Sequence, residues 1–575
     1  MHNPGMRGSG ERRWVVRVLA VIGLVAVIGT VTAIVVSTSG DAAGRGAAPD
    51  PAVPAQAFLA AWHAGDYAAM YGLVAPQVQA SISSHRFARE YRQVARTASM
   101  TGVRAEGSLR ATAALARVPV SVATTMFGRL HEELELPLVR VRRRYLIAWT
   151  PALTFPGMRA GETLERRVHA PEGRGRILAR DGTVLAEGPP GNRSYPAGSD
   201  FALLTGFTKA PDASAVAARR KVGWPAGRKY GQGGLEESLD DALGGHPRVR
   251  LVAAPSAPGS PGRILARKSG RKPRDVVTTI DPDMQSAAAL ALGSRYGGIV
   301  VLDPSSGAVR ADAGLGMDAT QPPGSSFKTV TASAALAARK VSLTSTYPYE
   351  KFVVLNGWRL RNFHHELCGG SLVQAFADSC NSVFAPVADE VGAKGLVAMA
   401  NAFGFNETPT IAYPVPKSTT RTPAQMPSDL SLGVAGIGQG GVIASPLQMA
   451  SVAQTIASQG IRKPPFIVHS PRALKDKQPP VKAVGRRVAG EVTQMMEAVV
   501  SYGTGTSAAI SGVTVAGKTG TAEVGPSRPS DAWFIAFAPA DAPRVAVAVL
   551  IVNGGVGGDV AAPIARQVLE AALAG

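Results

Sequence analysis

Ser325 and Lys328 stand three residues apart in the string Ser325-Ser326-Phe327-Lys328. On a helix this spacing puts hydroxyl and amine on one face a turn apart, so the amine can take the hydroxyl's proton and leave an activated nucleophile. Two more strings follow in order, Ser379-Cys380-Asn381 and Lys518-Thr519-Gly520-Thr521. The first offers a second hydroxyl and an amide that could orient a peptide. The second offers a cation and two hydroxyls suited to a carboxylate. Together the three describe one acyl-transfer site, with Ser325 as nucleophile and Lys328 as base. For Ser379-Cys380-Asn381 the alternative is an ordinary polar turn between helices.

These side chains need a scaffold to bring them together, and the flanking residues predict one. Pro323-Gly324 places Ser325 at a helix start, where backbone N–H groups and the helix dipole favour a developing oxyanion, and the alanine-rich run 330–340 continues the helix. The last domain begins at 277–281, followed by a helix from about Pro282. Residues 298–304 read as a strand entering the turn Ser305-Ser306-Gly307, with 308–313 as its hairpin partner. Residues 532–538 and 545–552 read as two strands joined through a Pro-containing turn, and 561–574 as a closing helix. The string from Ile437 to Met449 reads as a loop before a helix near the sheet. The implied fold class is multidomain α+β, its last domain a mostly antiparallel sheet flanked by helices.

Two other strings suggest different chemistry. Gly512 to Thr519 spells the phosphate-loop pattern G-x-x-x-x-G-K-T letter for letter. A phosphate loop lies between a strand and a helix, whereas 513–516 reads as strand itself and 520–529 cannot start a good helix. His364-His365-Glu366 suggests a metal, but adjacent histidines on a strand or turn point apart and no second ligand cluster exists, so they read as loop residues. Serine acyl transfer requires neither metal nor cofactor.

The three motifs in this order form the set found in penicillin-binding proteins and serine β-lactamases, and the chain resembles that superfamily. Its upstream organisation is similar to the class B penicillin-binding proteins of actinobacterial type. Residues 55–157 carry helical apolar spacing at Phe58, Leu59 and Trp62, then Tyr67, Met70, Tyr71 and Leu73, with a break near Gly65-Asp66. Two strands follow at 136–142 and 145–149. This stretch resembles the nuclear-transport-factor-2-like N-terminal extension of some members, a spacer from the membrane. Within 158–274, residues 174–186 and the string Tyr230-Gly-Gln-Gly-Gly-Leu-Glu236 resemble the dimerisation, or pedestal, domain, with Ala179 standing where those relatives carry Asp. Residues 275–575 correspond to the transpeptidase domain.

The resemblance implies that Ser325 attacks the carbonyl of a terminal D-Ala-D-Ala peptide while Lys328 accepts its proton. Backbone N–H groups of Ser325 and Thr521 form the oxyanion hole. Lys518, Thr519, Gly520 and Thr521 bind the donor carboxylate, Ser379 relays the proton to the leaving D-Ala, and Asn381 binds the peptide amide. A second peptide's amine then completes a cross-link between peptidoglycan stem peptides, and β-lactams acylate the same serine. A D,D-carboxypeptidase or a serine β-lactamase could use the same motifs with water as acceptor, though the long pedestal argues against both. The non-enzyme alternatives are a β-lactam sensor and a wall scaffold. A sensor lacks room for a signalling domain, and a dead scaffold should show a broken motif. A polytopic membrane glycosyltransferase is the implied partner.

The chain has 575 residues and a formal net charge of +20. Residues 18–36 hold no charge over a length that spans a bilayer, after the cytoplasmic tail 1–17 with Arg7, Arg12, Arg13 and Arg17 against Glu11. This predicts a single-pass anchor in the cytoplasmic membrane, the catalytic part outside, and a short linker at 37–54. A cleavable signal peptide is the competing reading. An extracytoplasmic location excludes nucleic acid as the basic chain's partner and favours anionic headgroups or wall polymer. The basic run 140–144 could touch such a polymer, with an exposed strand face as the alternative. Cys368 and Cys380 could form a bridge in an oxidising compartment or remain two buried thiols.

Overall fold

The computed structural model describes residues 48–255, 262–469, 478–525 and 527–574. The expected anchor at 18–36 and most of the linker lie outside the described residues. Among those described, no helix is long and apolar enough to cross a membrane.

The first folded region opens with helices Ala52–Ala64 and Tyr67–Gly72, separated at Gly65, which adopts the left-handed conformation that ends a helix. Asp66 caps the second helix by accepting from the Ala69 N–H. Helices Pro76–Ser81 and Ser84–Ala98 complete the layer. It packs on an antiparallel sheet in which Leu115–Thr124 pairs with both Met100–Ala105 and Gly128–Val141, and Arg144–Ile147 closes the edge. An aromatic cluster fills the space between them. Tyr91 donates to the Leu153 carbonyl at 3.0 Å and accepts from the Trp149 indole at 3.1 Å, so its buried hydroxyl is satisfied. The core extends past residue 157: strand Glu162–His169 pairs with Arg248–Pro255, which pairs with Arg263–Lys268, and Leu251 and Ala266 join the aromatic core.

The pedestal strings quoted above meet in space around one carboxylate. Glu236, fully buried, accepts from Arg174 Nε at 2.6 Å and from Arg193 Nε at 2.7 Å, while Arg174 also reaches Asp240 at 2.6 Å. Arg193 continues to the carbonyls of Gly188 and Gly175. Ala179 lies buried in the core, and Asp181 rather than residue 179 closes the following turn onto the Thr183 N–H. Strand Val276–Val277 runs parallel to Ile177–Leu178, so residues just before the last helical-and-sheet region are stitched into the pedestal.

The last region is built on a five-stranded antiparallel sheet, in the order Val309–Gly314, Gly297–Leu302, Val545–Ile551, Asp531–Ala538, Ala516–Ala522. Every residue of the strands Asp531–Ala538 and Val545–Ile551 is buried. That follows from cover on both faces, and it explains why these strands read as unbroken apolar runs instead of alternating ones. Helices Pro282–Leu292 and Ala562–Ala574 cover one face. The other carries Pro446–Ala457, buried along its whole length, and the helical subdomain containing Lys328–Ala337 and Asn381–Ala402. The strand expected at 513–516 lies further on: the ladder runs over Ala516–Ala522 and includes the Lys518 motif itself. Residues 513–515 precede the sheet, with Val513 closing a turn onto Ile510.

Replacing Glu236 by Gln removes the carboxylate that Arg174 and Arg193 share and leaves Arg174 with Asp240 alone. Glu236→Gln should lower stability by about 3–5 kcal/mol, measured as the shift of the urea unfolding midpoint.

Candidate active site

Ser325 occupies a 3-10 turn, Gly324–Phe327, that leads directly into the helix Lys328–Ala337. The turn lies along the outer edge of Ala516–Ala522, the edge strand of the sheet. Gly520 makes that approach possible: a β-carbon there would stand 2.6 Å from the Pro323 carbonyl and 2.8 Å from Trp533 Cβ. On the other side, Gly438 leaves room for the Gly324 carbonyl and accepts the Gly324 N–H at 3.0 Å. This gives the glycine-rich string after Ile437 its role, and the helix expected after it is Pro446–Ala457.

Ser379 sits in the short connection between helices Leu372–Ala377 and Asn381–Ala402, in left-handed conformation at φ 63°. A polar turn between helices and a functional group are therefore the same object here. The turn aims Ser379 and Asn381 at Lys328. Lys328 Nζ donates to the Ser379 carbonyl at 2.6 Å and to Asn381 Oδ1 at 2.7 Å, with Ser379 Oγ at 3.4 Å. Lys518 Nζ donates to the same Ser379 Oγ at 2.8 Å and to the Thr519 carbonyl at 3.1 Å. One hydroxyl thus stands between two amines.

Both lysines are fully buried. Burial, then the neighbouring charge of Lys518, holds the Lys328 amine well below the usual lysine range. Burial pulls Lys518 down to about 7, opposed by Asp378. Lys328 Nζ has two close acceptors and a third at 3.4 Å, with no carboxylate among its described partners. Among the described residues no hydrogen bond joins Ser325 to Lys328, whose amine is held by Ser379 and Asn381 instead.

Thr519 and Thr521 point along the same strand, a residue apart. Thr519 Oγ1 shares a 2.6 Å hydrogen bond with Thr504 Oγ1, and Thr504 is held in turn by the Ala377 carbonyl. Thr521 Oγ1 accepts from the Gly557 N–H at 3.2 Å. Ser325, Ser379, Asn381, Thr519 and Thr521 all line one open cleft of about 960 Å³. The sequence reading did not single out Thr504. Its only signal is a threonine between two glycines, Gly503 and Gly505, and nothing local marks its contact with a strand fifteen residues on.

The two cysteines are bridged, Cys368 to Cys380, with Cα atoms 5.6 Å apart. The bridge pins the residue between Ser379 and Asn381 to the strand Cys368–Ser371. His364 and His365 form a 3-10 turn on the cleft wall, the His364 ring stacked on Phe363. Among the described residues no group of three His, Cys, Asp or Glu side chains could hold a metal ion.

Comparison with known proteins gives a consistent picture. Residues 297–570 match the penicillin binding protein transpeptidase domain, and residues 50–162 match the NTF2-like N-terminal transpeptidase domain. The peptidoglycan D,D-transpeptidase PbpA of Mycobacterium tuberculosis is 35% identical, over 60% of this chain and 81% of its own length. The D,D-transpeptidase domain of a peptidoglycan glycosyltransferase from Eggerthella lenta superposes with a TM-score of 0.58 at 29% identity, covering 71% of this chain and 99% of that one. The imipenem acyl-enzyme complex of M. tuberculosis penicillin-binding protein A does so with a TM-score of 0.56 at 30% identity, covering 70% and 99%.

Two measurements follow from this geometry. Lys518 is neutralised at about 7 when folded and near 10.4 when unfolded, so between these values the unfolded chain binds more protons and stability rises with pH. The stability gained by Lys518→Met over the native chain should therefore shrink steadily from pH 7 to pH 10 in urea titrations. Opening the Cys368–Cys380 bridge, whose ends are 12 residues apart in sequence, should cost about 3 kcal/mol, read as a lower unfolding midpoint for the Cys368→Ser/Cys380→Ser variant.

Proposed function

The chain belongs to the class B penicillin-binding proteins, peptidoglycan D,D-transpeptidases that cross-link stem peptides and are acylated by β-lactams, and from that premise we propose that Ser325 is its nucleophile and Lys328 the base. The observation that carries this assignment is a fully buried lysine amine, one helical turn from Ser325, held by the Ser379 carbonyl and Asn381 Oδ1 with no carboxylate among its described hydrogen-bond partners.

The proposed reaction runs as follows. Lys328 takes the Ser325 hydroxyl proton as Oγ attacks the penultimate D-Ala carbonyl. The tetrahedral oxyanion forms against the N–H groups of Ser325 and Thr521, donors fixed before the charge develops. Ser379, hydrogen-bonded to Lys518 and near Lys328, passes a proton to the departing D-Ala amine as the peptide bond breaks, leaving an ester on Ser325. The amine of a second stem peptide then attacks that ester and loses a proton to the same relay. The new peptide bond forms, and Ser325 regains its hydrogen. Lys518, Thr519 and Thr521 hold the donor's C-terminal carboxylate, Gly520 admits the serine turn, and Asn381 binds the donor amide.

The same reading extends to the whole chain. Residues 18–36 anchor it in the cytoplasmic membrane as a single pass. The spacer at 55–157 and pedestal at 158–274 carry the transpeptidase domain, 275–575, outside. A polytopic membrane glycosyltransferase supplies the glycan strands. The apolar run, the arginines before it and the two family matches support this arrangement.

Labelling of the protein with a fluorescent penicillin tests the site. A long-lived adduct should form at one serine and disappear in Ser325→Ala. Adduct release within minutes would instead indicate β-lactamase turnover. A label that persists in Ser325→Ala would remove Ser325 as nucleophile.

A further inference from the structure

Helix Asn381–Ala402 starts without a cap of its own. Its N-cap residue is Cys380, whose side chain makes no capping hydrogen bond and is committed to the disulfide. The first N–H groups of a helix have no partner within it, and here they belong to residues that carry site side chains. Phe384 N–H makes the first intrahelical bond, to the Cys380 carbonyl, so the Ser382 N–H precedes the ladder. It is satisfied from twenty residues upstream: Asn362 Oδ1 accepts it at 2.8 Å.

Asn362 is 5% exposed and fully used. Its Nδ2 donates to the Glu350 carbonyl at 2.7 Å, the Glu366 carbonyl at 3.1 Å and Ser382 Oγ at 3.1 Å. The preceding residue adds a second tie, for the Arg361 carbonyl accepts from Asn381 Nδ2 at 3.0 Å. That bond fixes which way the Asn381 amide faces and so directs Oδ1 to Lys328. The hairpin Phe352–Leu355 and Trp358–Arg361, the His364 turn and the start of the Asn381 helix are therefore held as one unit.

Resting on the reading of Ser325 and Lys328 above, we propose that Asn362 is a positioning residue for acylation: it caps the Asn381 helix from outside and thereby holds Asn381 and Ser379 against the Lys328 amine. It touches neither nucleophile nor base. Loss of the cap lets the helix start fray, and the acceptors that hold the Lys328 amine move out of register. Binding of the β-lactam before reaction draws on several groups of the cleft besides Asn381, so it weakens by less than the acylation rate falls.

The test is the saturation kinetics of fluorescent-penicillin acylation, which separate the noncovalent dissociation constant from the maximal acylation rate. Label stoichiometry counts competent sites, so a variant that partly fails to fold loses amplitude and not rate. Asn362→Ala should lower the maximal rate at least tenfold and weaken the noncovalent constant by a smaller factor. Ser382→Ala, which leaves the backbone N–H in place, should stay within twofold of the native rate. A native rate in Asn362→Ala, or a noncovalent constant weakened by as much as the rate or more, would overturn the proposal. Failure of the native protein itself to label would instead reject the reading of Ser325.

Discussion

Two lysine amines buried around one serine hydroxyl are the constraint on which the catalytic region depends. An ammonium ion taken out of water costs several kcal/mol unless it is paired, and neither Lys328 nor Lys518 has a carboxylate in hydrogen-bonding contact. The burial is tolerable because lysine can give up its proton. That choice dictates the surroundings: acceptors for two N–H groups from the Ser379 turn, a hydroxyl facing both amines, and a packed sheet and helix that exclude water. The same exclusion of water depresses both amines below the usual lysine range.

The cluster around Glu236 meets a similar problem with the opposite solution. Arg174 and Arg193 are as buried as the two lysines, but a guanidinium does not lose its proton in a protein. It has to be neutralised in place, and Glu236 lies between the two in the way Ser379 lies between the amines. In one region burial weakens the hold of two amines on their protons. In the other the charge is neutralised by pairing, and the result is a rigid joint between strings sixty residues apart. The choice of Arg or Lys at a buried position thus separates structural sites from chemical ones in this chain.

The hairpin 298–313, the paired strands around the Pro-containing turn and the closing helix were legible because each is fixed by local periodicity and turn residues. The helix break near Gly65-Asp66 was legible for the same reason. The strand that carries Lys518 was misplaced by three residues because its alternation is hidden. Gly517, Gly520 and the two threonines have little hydropathy to alternate, and its position is set by pairing with Asp531–Ala538. Asn362 and Thr504 carry no local mark at all. Each is an ordinary polar residue whose partner lies on another element. Whether Cys368 and Cys380 bond was likewise a question of distance, answered only when strand Cys368–Ser371 was laid beside the helix start.

The sequence by itself determined the chemical inventory: a serine and a lysine one turn apart, a second serine with an asparagine, and a strand offering an amine and two hydroxyls, in an order that identifies the family. Those facts are local, fixed by residue type and by spacing within a turn or a strand. Only the tertiary structure decided the state of that inventory. Lys518 meets Ser379 across 139 residues of chain, and such a contact exists only because the sheet and the helical subdomain bury enough apolar surface to offset the entropy of closing the loop. The protonation of both lysines is a property of that burial. No residue carries it alone, so it could not be read before the fold was known.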